Sequence, residues 1–433
     1  MKKQYFIKKY LPLSIVLLLL TPNCSFAGEM LGIVDCFKEA LKRSEVLATQ
    51  QELVIQAEEN YQKSWGAILP AVNGSYAYFH RQAPGLTRSG NTAGSSGQQT
   101  LKLTGDQPLF RGFRDFAALN GAKALIKAQK LARQWAGTQL FRDVAGAFYT
   151  RMAVEKDLSL LDNELELYQK RIKDLEDRVA LGRSRISEVL TVQAAQAILK
   201  AQREQVVGQL EVAKEVLAFL TGLDQGIPLE DADAMPLDIG SWDLYQAGLA
   251  QRPDILAAIK NVEAFKASVE VAKGASLPSV DLIGNIYAQR PDLHQNGIWD
   301  VEIAVTLPIF TGGIISANVK TAESQRRQSE IQLSLVQRTA LEEVRSLYHN
   351  VKSDTAQRTA LQEAFDLSEK NYQANVKDYE HNLVTNLDVL QALTAYQDTE
   401  RALEKIRYLL KVDFNQLEAA AARRLSLMEE LEK

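Results

Sequence analysis

The residues able to do acid–base, nucleophilic or metal chemistry are thinly spread. His80, His294, His349 and His381 have no His or Cys close by, and no H-E-x-x-H occurs. A metal or general base needs partners converging on one point, and this spacing supplies none. G-x-S-x-G and phosphate-loop patterns are absent, and G-S-S-G at 94–97 sits in a Gly- and Ser-rich stretch that reads as linker. No catalytic, cofactor-binding or metal-ligating residues are therefore expected, and the chain does not read as an enzyme. What recurs is a carboxylate: Glu188-Val189-Leu190 returns as Asp388-Val389-Leu390, 200 positions on. Each acid falls in the first turn of a predicted helix, where negative charge suits the helix dipole. Ser187 and Asn386 are read as the residues just ahead of those helices.

Stepping along the chain, that echo belongs to a duplication. Pro108-Leu109-Phe110 returns as Pro308-Ile309-Phe310 at the same offset of 200, and Leu69-Pro70 returns as Leu277-Pro278 at 208. The first half thus carries 8 extra residues between Pro70 and Pro108, most simply in the loop-like stretch 83–98. Each half has one order: helix, Leu-Pro, two strands, Pro-x-Phe-x-Gly, long helix, acid-Val-Leu, returning helix. The divisions are a first repeat over 28–221, a linker at 222–243, a second repeat over 244–420 and a polar tail at 421–433.

Helices are predicted over 34–66 and 244–275, and strands over 72–82, 100–109, 279–288 and 299–309. Leu101 and Leu103 oppose Lys102, Thr104 and Asp106; Val301, Ile303, Val305 and Leu307 oppose Glu302, Ala304 and Thr306. No proline lies between Pro108 and Pro228, or after Pro308. Leu158, Leu161, Leu165, Tyr168, Ile172, Leu175 and Val179 keep the seam spacing of a left-handed coiled coil, echoed by Leu361, Phe365, Tyr372, Tyr379 and Leu383. A helix from Asp115 to Leu181 is about 100 Å long at the α-helical rise. Such a helix protrudes or is covered by other chains.

Residues 1–27 read as a secretory signal: Lys2, Lys3, Lys8 and Lys9, an apolar run over 11–20, and cleavage after Ala27. Cys24 raises a lipid-anchored start, but Asn23 stands where a small residue is wanted. Cleavage leaves Cys36 alone, so no intrachain disulfide is available and a small buried side chain is expected there. The net charge of −4 over 433 residues gives no support for nucleic-acid binding.

Four strands cannot close a barrel, and lipid forbids their open edges. In a membrane several copies must share one barrel, and three copies give twelve strands around an aqueous lumen. The doubled landmark order at matched spacing, over about residues 32–420, resembles the TolC family of outer-membrane efflux proteins. That resemblance implies a mainly α chain with a membrane β-barrel: a homotrimer with a 12-stranded barrel in the outer membrane of a Gram-negative bacterium and an α-helical tunnel through the periplasm, with 222–243 at its equator.

It further implies that Pro108, Phe110, Gly112 and Pro308, Phe310, Gly312 mark the junctions between barrel strand and tunnel helix. Asp388 matches a gate aspartate, Tyr379 a gate tyrosine and Glu188 its acidic partner. Val384 stands where the pattern has an arginine, a charge Arg183 and Arg185 are placed to replace, and Gln391 stands where it has a second aspartate. Asp388 repeated threefold attracts cations. The tips at Gly182, Arg183, Ser184 and Asn382, Leu383, Val384 are expected to dock a periplasmic adaptor belonging to an inner-membrane pump, with the ends near 83–98 and 289–297 extracellular. The competing reading is a non-channel periplasmic coiled-coil adaptor or scaffold, which leaves the two matched hairpins unexplained. Cargo is not legible.

Overall fold

A computed structural model describes residues 30–81, 96–231, 239–290 and 297–424. The expected signal, Cys24 and most of the stretch 83–98 lie outside the described residues, as do most of the loop 289–297 and the end of the tail.

The first repeat comprises α1 (Ile33–Arg43), α2 (Glu45–Gly66), β1 (Ala71–Arg81), β2 (Ser96–Arg111), α3 (Arg114–Ala180) and α4 (Ile186–Thr221). The second comprises α5 (Trp242–Gly248), a 3-10 turn (Leu249–Gln251), α6 (Pro253–Gly274), β3 (Ser279–Gln289), β4 (Trp299–Thr306), α7 (Ile314–Glu380) and α8 (Asn386–Ala420). Helices α3 and α7 each have 67 residues. The helices expected over 34–66 and 244–275 are each broken once. Ser44 stops the first and caps the next, its hydroxyl accepting from the Leu47 amide at 3.3 Å. Arg252 ends the second just before Pro253, which suits the first turn of a helix and not its interior.

The strands form one antiparallel sheet in the order β1-β2-β3-β4. The two hairpins share one register: Ala71 opposite Asp106 corresponds to Ser279 opposite Thr306, and Tyr78 opposite Gln99 to Ile286 opposite Trp299. One face is apolar and open, with Tyr76, Val301, Ile303 and Val305 each about 60% exposed or more. The other is polar. The side chain of Asn285 accepts from Lys102 at 3.3 Å and Thr104 at 2.8 Å and donates to Asp300 at 2.7 Å.

Two strand ends differ from expectation. Pro108 does not end its ladder: it lies in β2 opposite Asp281 beside a bulge at Leu109, a place where a missing N–H is tolerated. Strand β2 also begins at Ser96, so part of the G-S-S-G stretch is strand. In the second half β4 stops at Thr306, short of Pro308. Both junctions then turn through two left-handed residues, Gly112 and Phe113 (φ 63° and 61°) and Gly312 and Gly313 (62° and 85°). Glycine is the residue that enters this region without a Cβ penalty.

Near mid-length, α1 fills the groove beside α3. Phe37 meets Phe141 edge-on at 5.2 Å, and Cys36 is fully buried, its thiol pushed up to about 11 by burial. Helix α5 occupies the corresponding place in the second repeat, with Tyr245 packed among Val344, Leu347 and Val351. Toward the far end the coiled-coil seam forms a second core from Leu161, Tyr168 and Leu175 of α3, Val189 and Val192 of α4, and Tyr379 and Leu393. Among the described residues no helix is long and apolar enough to cross a membrane.

Candidate functional site: the helical tips

The two long helices end in the same way. At the first tip the Gly182 amide donates to Val179 O at 2.9 Å and the Arg183 amide to Arg178 O at 2.8 Å. At the second, Asn382 donates to Tyr379 O at 3.0 Å and Leu383 to Asp378 O at 2.9 Å. Gly182 (φ 69°) and Asn382 (φ 58°) occupy the left-handed position of this C-terminal cap, filled by the two residue types that favour it. At each tip the chain re-enters a helix within four residues, so both turns are tight.

The carboxylates follow. Thr385 and Asp388 form a reciprocal capping box: the Asp388 carboxylate accepts from the Thr385 amide at 2.7 Å and hydroxyl at 2.6 Å, while Thr385 Oγ1 accepts from the Asp388 amide at 3.4 Å. Bonding to the Thr385 hydroxyl and amide holds Asp388 below the usual carboxylate range, so it is ionised at neutral pH. Glu188 accepts from Ser184 Oγ at 2.9 Å and closes its own tip. The caps preceding the returning helices are Arg185 and Thr385; Ser187 is the second residue of its helix and Asn386 the first.

Tyr379 belongs to the coiled-coil core next to the tips. It is 8% exposed, and two guanidinium groups flank its ring, Arg171 at 4.1 Å and Arg178 at 4.7 Å. Arg171 also donates twice to Asn386 Oδ1, at 3.0 and 2.8 Å, and both arginines pair with Asp174. Arg171, Asp174 and Arg178 come from the first repeat, Tyr379 and Asn386 from the second, so the cluster ties one helix pair to the other. Sequence reasoning missed these arginines. The signal was present: Arg171, Asp174 and Arg178 are spaced 3 and 4 apart, which places them on one helical face.

Gly182, Arg183, Arg185, Asn382 and Leu383 are exposed, Leu383 at 73%. Ser184 is half-buried, and Val384 packs against the coiled-coil core. A second inter-repeat tie lies farther up, where Arg401 of α8 grips Asp157 of α3 through two bonds of 2.6 and 3.1 Å.

With this geometry in hand, the comparisons with known proteins agree on one family. The model of the outer membrane efflux protein family matches residues 36–223 and 244–423, one stretch per repeat. The cation efflux system protein CusC of Escherichia coli (strain K12) is 25% identical over 287 residues, covering 63% of this chain and 62% of CusC. The chain thus matches less than two thirds of that relative's length. The proteases secretion protein PrtF of Dickeya chrysanthemi is 22% identical over 425 residues, 90% of this chain and 88% of PrtF. The outer membrane protein VceC of Vibrio cholerae has the same fold, with a TM-score of 0.78 at 21% identity over 90% of this chain and 96% of VceC. A duplicated, mainly helical chain with one four-stranded sheet and paired helical tips, matched along both repeats, belongs to the outer membrane efflux protein family.

Proposed function

We propose that this chain is the exit duct of a tripartite efflux or type I secretion assembly, passively conducting cargo from periplasm or pump to the exterior. The observation that carries the reading is the two-faced sheet. Its apolar face suits lipid, its polar face with Asn285, Lys102 and Asp300 suits a water-filled lumen, and its two open edges require neighbours. Three copies supply twelve strands, and three pairs of repeats supply a tunnel wall of helices about 100 Å long.

At the tips, Asp388 repeated threefold sets a negative ring at the periplasmic mouth, and the Arg171–Tyr379–Arg178 stack holds the second helix pair in place beside the first. Gly182 and Leu383, exposed on the two tips, are the docking points for a periplasmic adaptor that joins the duct to an inner-membrane pump. No energy source is needed in this chain, since the pump provides it.

The test is the protein mass of the detergent-extracted chain by light scattering, corrected for bound detergent, followed by conductance in a planar bilayer. A threefold mass with cation-selective conductance is expected. A monomer or dimer soluble without detergent would remove the duct.

A further inference from the structure

Helices α3 and α8 lie side by side and join the two repeats through a ladder of polar contacts. Arg401 grips Asp157, Tyr168 and Thr394 share a hydrogen bond of 3.3 Å, and Arg171 bonds Asn386 next to the second tip. Residue numbers fall along α8 as they rise along α3, so the two helices run antiparallel. One rung between the Asp157 and Tyr168 contacts is unmade. On α3 its member is Glu164, 7 residues after Asp157 and 4 before Tyr168; on α8 it is Gln397, 4 before Arg401 and 3 after Thr394. Those spacings put each residue on the helical face that carries the made rungs.

Both residues are buried, Glu164 at 7% exposure and Gln397 at 5%. Gln397 Oε1 has no hydrogen-bond partner, and among the described residues Glu164 forms neither a hydrogen bond nor an ion pair. A carboxylate and an amide oxygen both accept, so they cannot bond each other; a protonated carboxyl has the O–H that Gln397 Oε1 lacks. The surrounding charges favour that proton. Asp398 and Glu400 of α8 and Asp157 of α3 oppose one arginine, Arg401, which both oxygens of Asp157 already hold. On α4, which packs on this stretch through Leu199, Arg203 is taken by Asp162 and Glu204. Burial pushes the Glu164 carboxyl up to about 7; Arg401 draws it down, while Asp398, Asp157 and Glu400 push it further up.

We propose that Glu164 is a proton-operated latch between the two repeats: neutral, it donates to Gln397 Oε1 and completes the ladder; ionised, it breaks that rung and loosens α8 from α3. The folded carboxyl lies above its ordinary value of 4.5, so its contribution to the closed ladder is complete below about 4.5 and is lost as pH rises through about 7. Between pH 6 and 8 the closed arrangement loses about tenfold in population against the open one. The rung at Arg171 and Asn386 is the last before the second tip, so loosening above it frees the tip that carries Leu383 and Asp388. The duct is held shut in acid and released toward alkaline pH.

The gating rests on the exit-duct reading, and the test separates the two. In planar bilayers, open probability of the full-length protein is expected to rise several-fold between pH 6 and 8, with its midpoint near 7. Glu164→Gln keeps a donor for Gln397 at every pH and is expected to stay at the acid level throughout. Asp398→Asn, at an exposed neighbour, is expected to move the midpoint to lower pH. In infrared difference spectra, a protonated-carboxyl band is expected to vanish near pH 7 in the wild type and to be missing from Glu164→Gln. The signal of the Asp354–Asp413 pair remains in both. A Glu164 band that titrates in the ordinary carboxylate range, or one pH profile shared by wild type and Glu164→Gln, overturns the latch and leaves the duct standing. No conductance at any pH, with the band lost near 7, overturns the duct and its gating and leaves the proton on Glu164.

Discussion

Asp354 of α7 and Asp413 of α8 share a hydrogen bond inside the bundle, and Asp354 is only 8% exposed. Burial and the neighbouring carboxyl raise Asp413 to about 6, and burial raises Asp354 too, so the pair holds a proton that free carboxyls would release. Because the folded state binds this proton more tightly, its contribution to stability is complete below about 3.8 and is lost as pH rises through about 6. Asp413→Asn should flatten the fall in melting temperature between pH 4 and 7; an unchanged slope would assign that slope to other groups. Asp388 has the opposite sign, being held ionised by Thr385. Asp388→Asn keeps a side chain able to cap the helix while removing the charge. Reduced cation preference in single-channel recordings, with trimer yield intact, is expected. Unchanged selectivity would leave the residue a cap alone.

At the scale of elements, the two repeats are held together by a few buried ionic ties as well as by the apolar seam. Arg252 is 3% exposed, bonds Asp254 and the carbonyl of Ala420, reaches Glu343 at 2.7 Å, and stacks over Trp135 of α3 at 4.3 Å. Glu343 is shared with Arg142 of α3 at 2.5 Å. Burial alone would raise the Glu343 carboxyl, but Arg142 and Arg252 outweigh it and hold it below its ordinary range. Breaking a buried ionic cluster by removing one member costs about 3–5 kcal/mol. Arg252→Ala should therefore lower the denaturation midpoint well beyond what an exposed arginine would. Arg252→Lys should recover only part, because an ammonium cannot bridge two carboxylates, a carbonyl and an indole face in one plane.

At the scale of the whole molecule, the proposed function assigns the tips and the barrel end separable tasks. Leu383 is exposed at 73% and lies outside both the capping bonds of Asp388 and the Tyr379 stack. Leu383→Glu, combined with Gly182→Glu, is expected to abolish export in cells while the purified protein retains its trimeric mass and its conductance. Export at the normal rate would place the adaptor elsewhere.

Much of this was legible from residues alone, because it rests on periodicity and punctuation. The 200-residue echo of Pro-x-Phe-x-Gly, the 3-4 spacing from Leu158 to Val179 and the alternation around Leu101 and Val301 depend on local geometry. They located the duplication, the long helices, the hairpins and both tips. The breaks at Ser44 and Arg252 were local too, but a cap and a proline mark a helix start only once its neighbours are known. Tertiary structure alone decided what meets across the repeats. Tyr379 lies between Arg171 and Arg178, Glu343 of the second repeat pairs with Arg142 of the first, and Gly112 rests on Gly274. These contacts join residues some 160 to 210 positions apart, where partners are selected by how whole helices pack and not by any spacing along the chain.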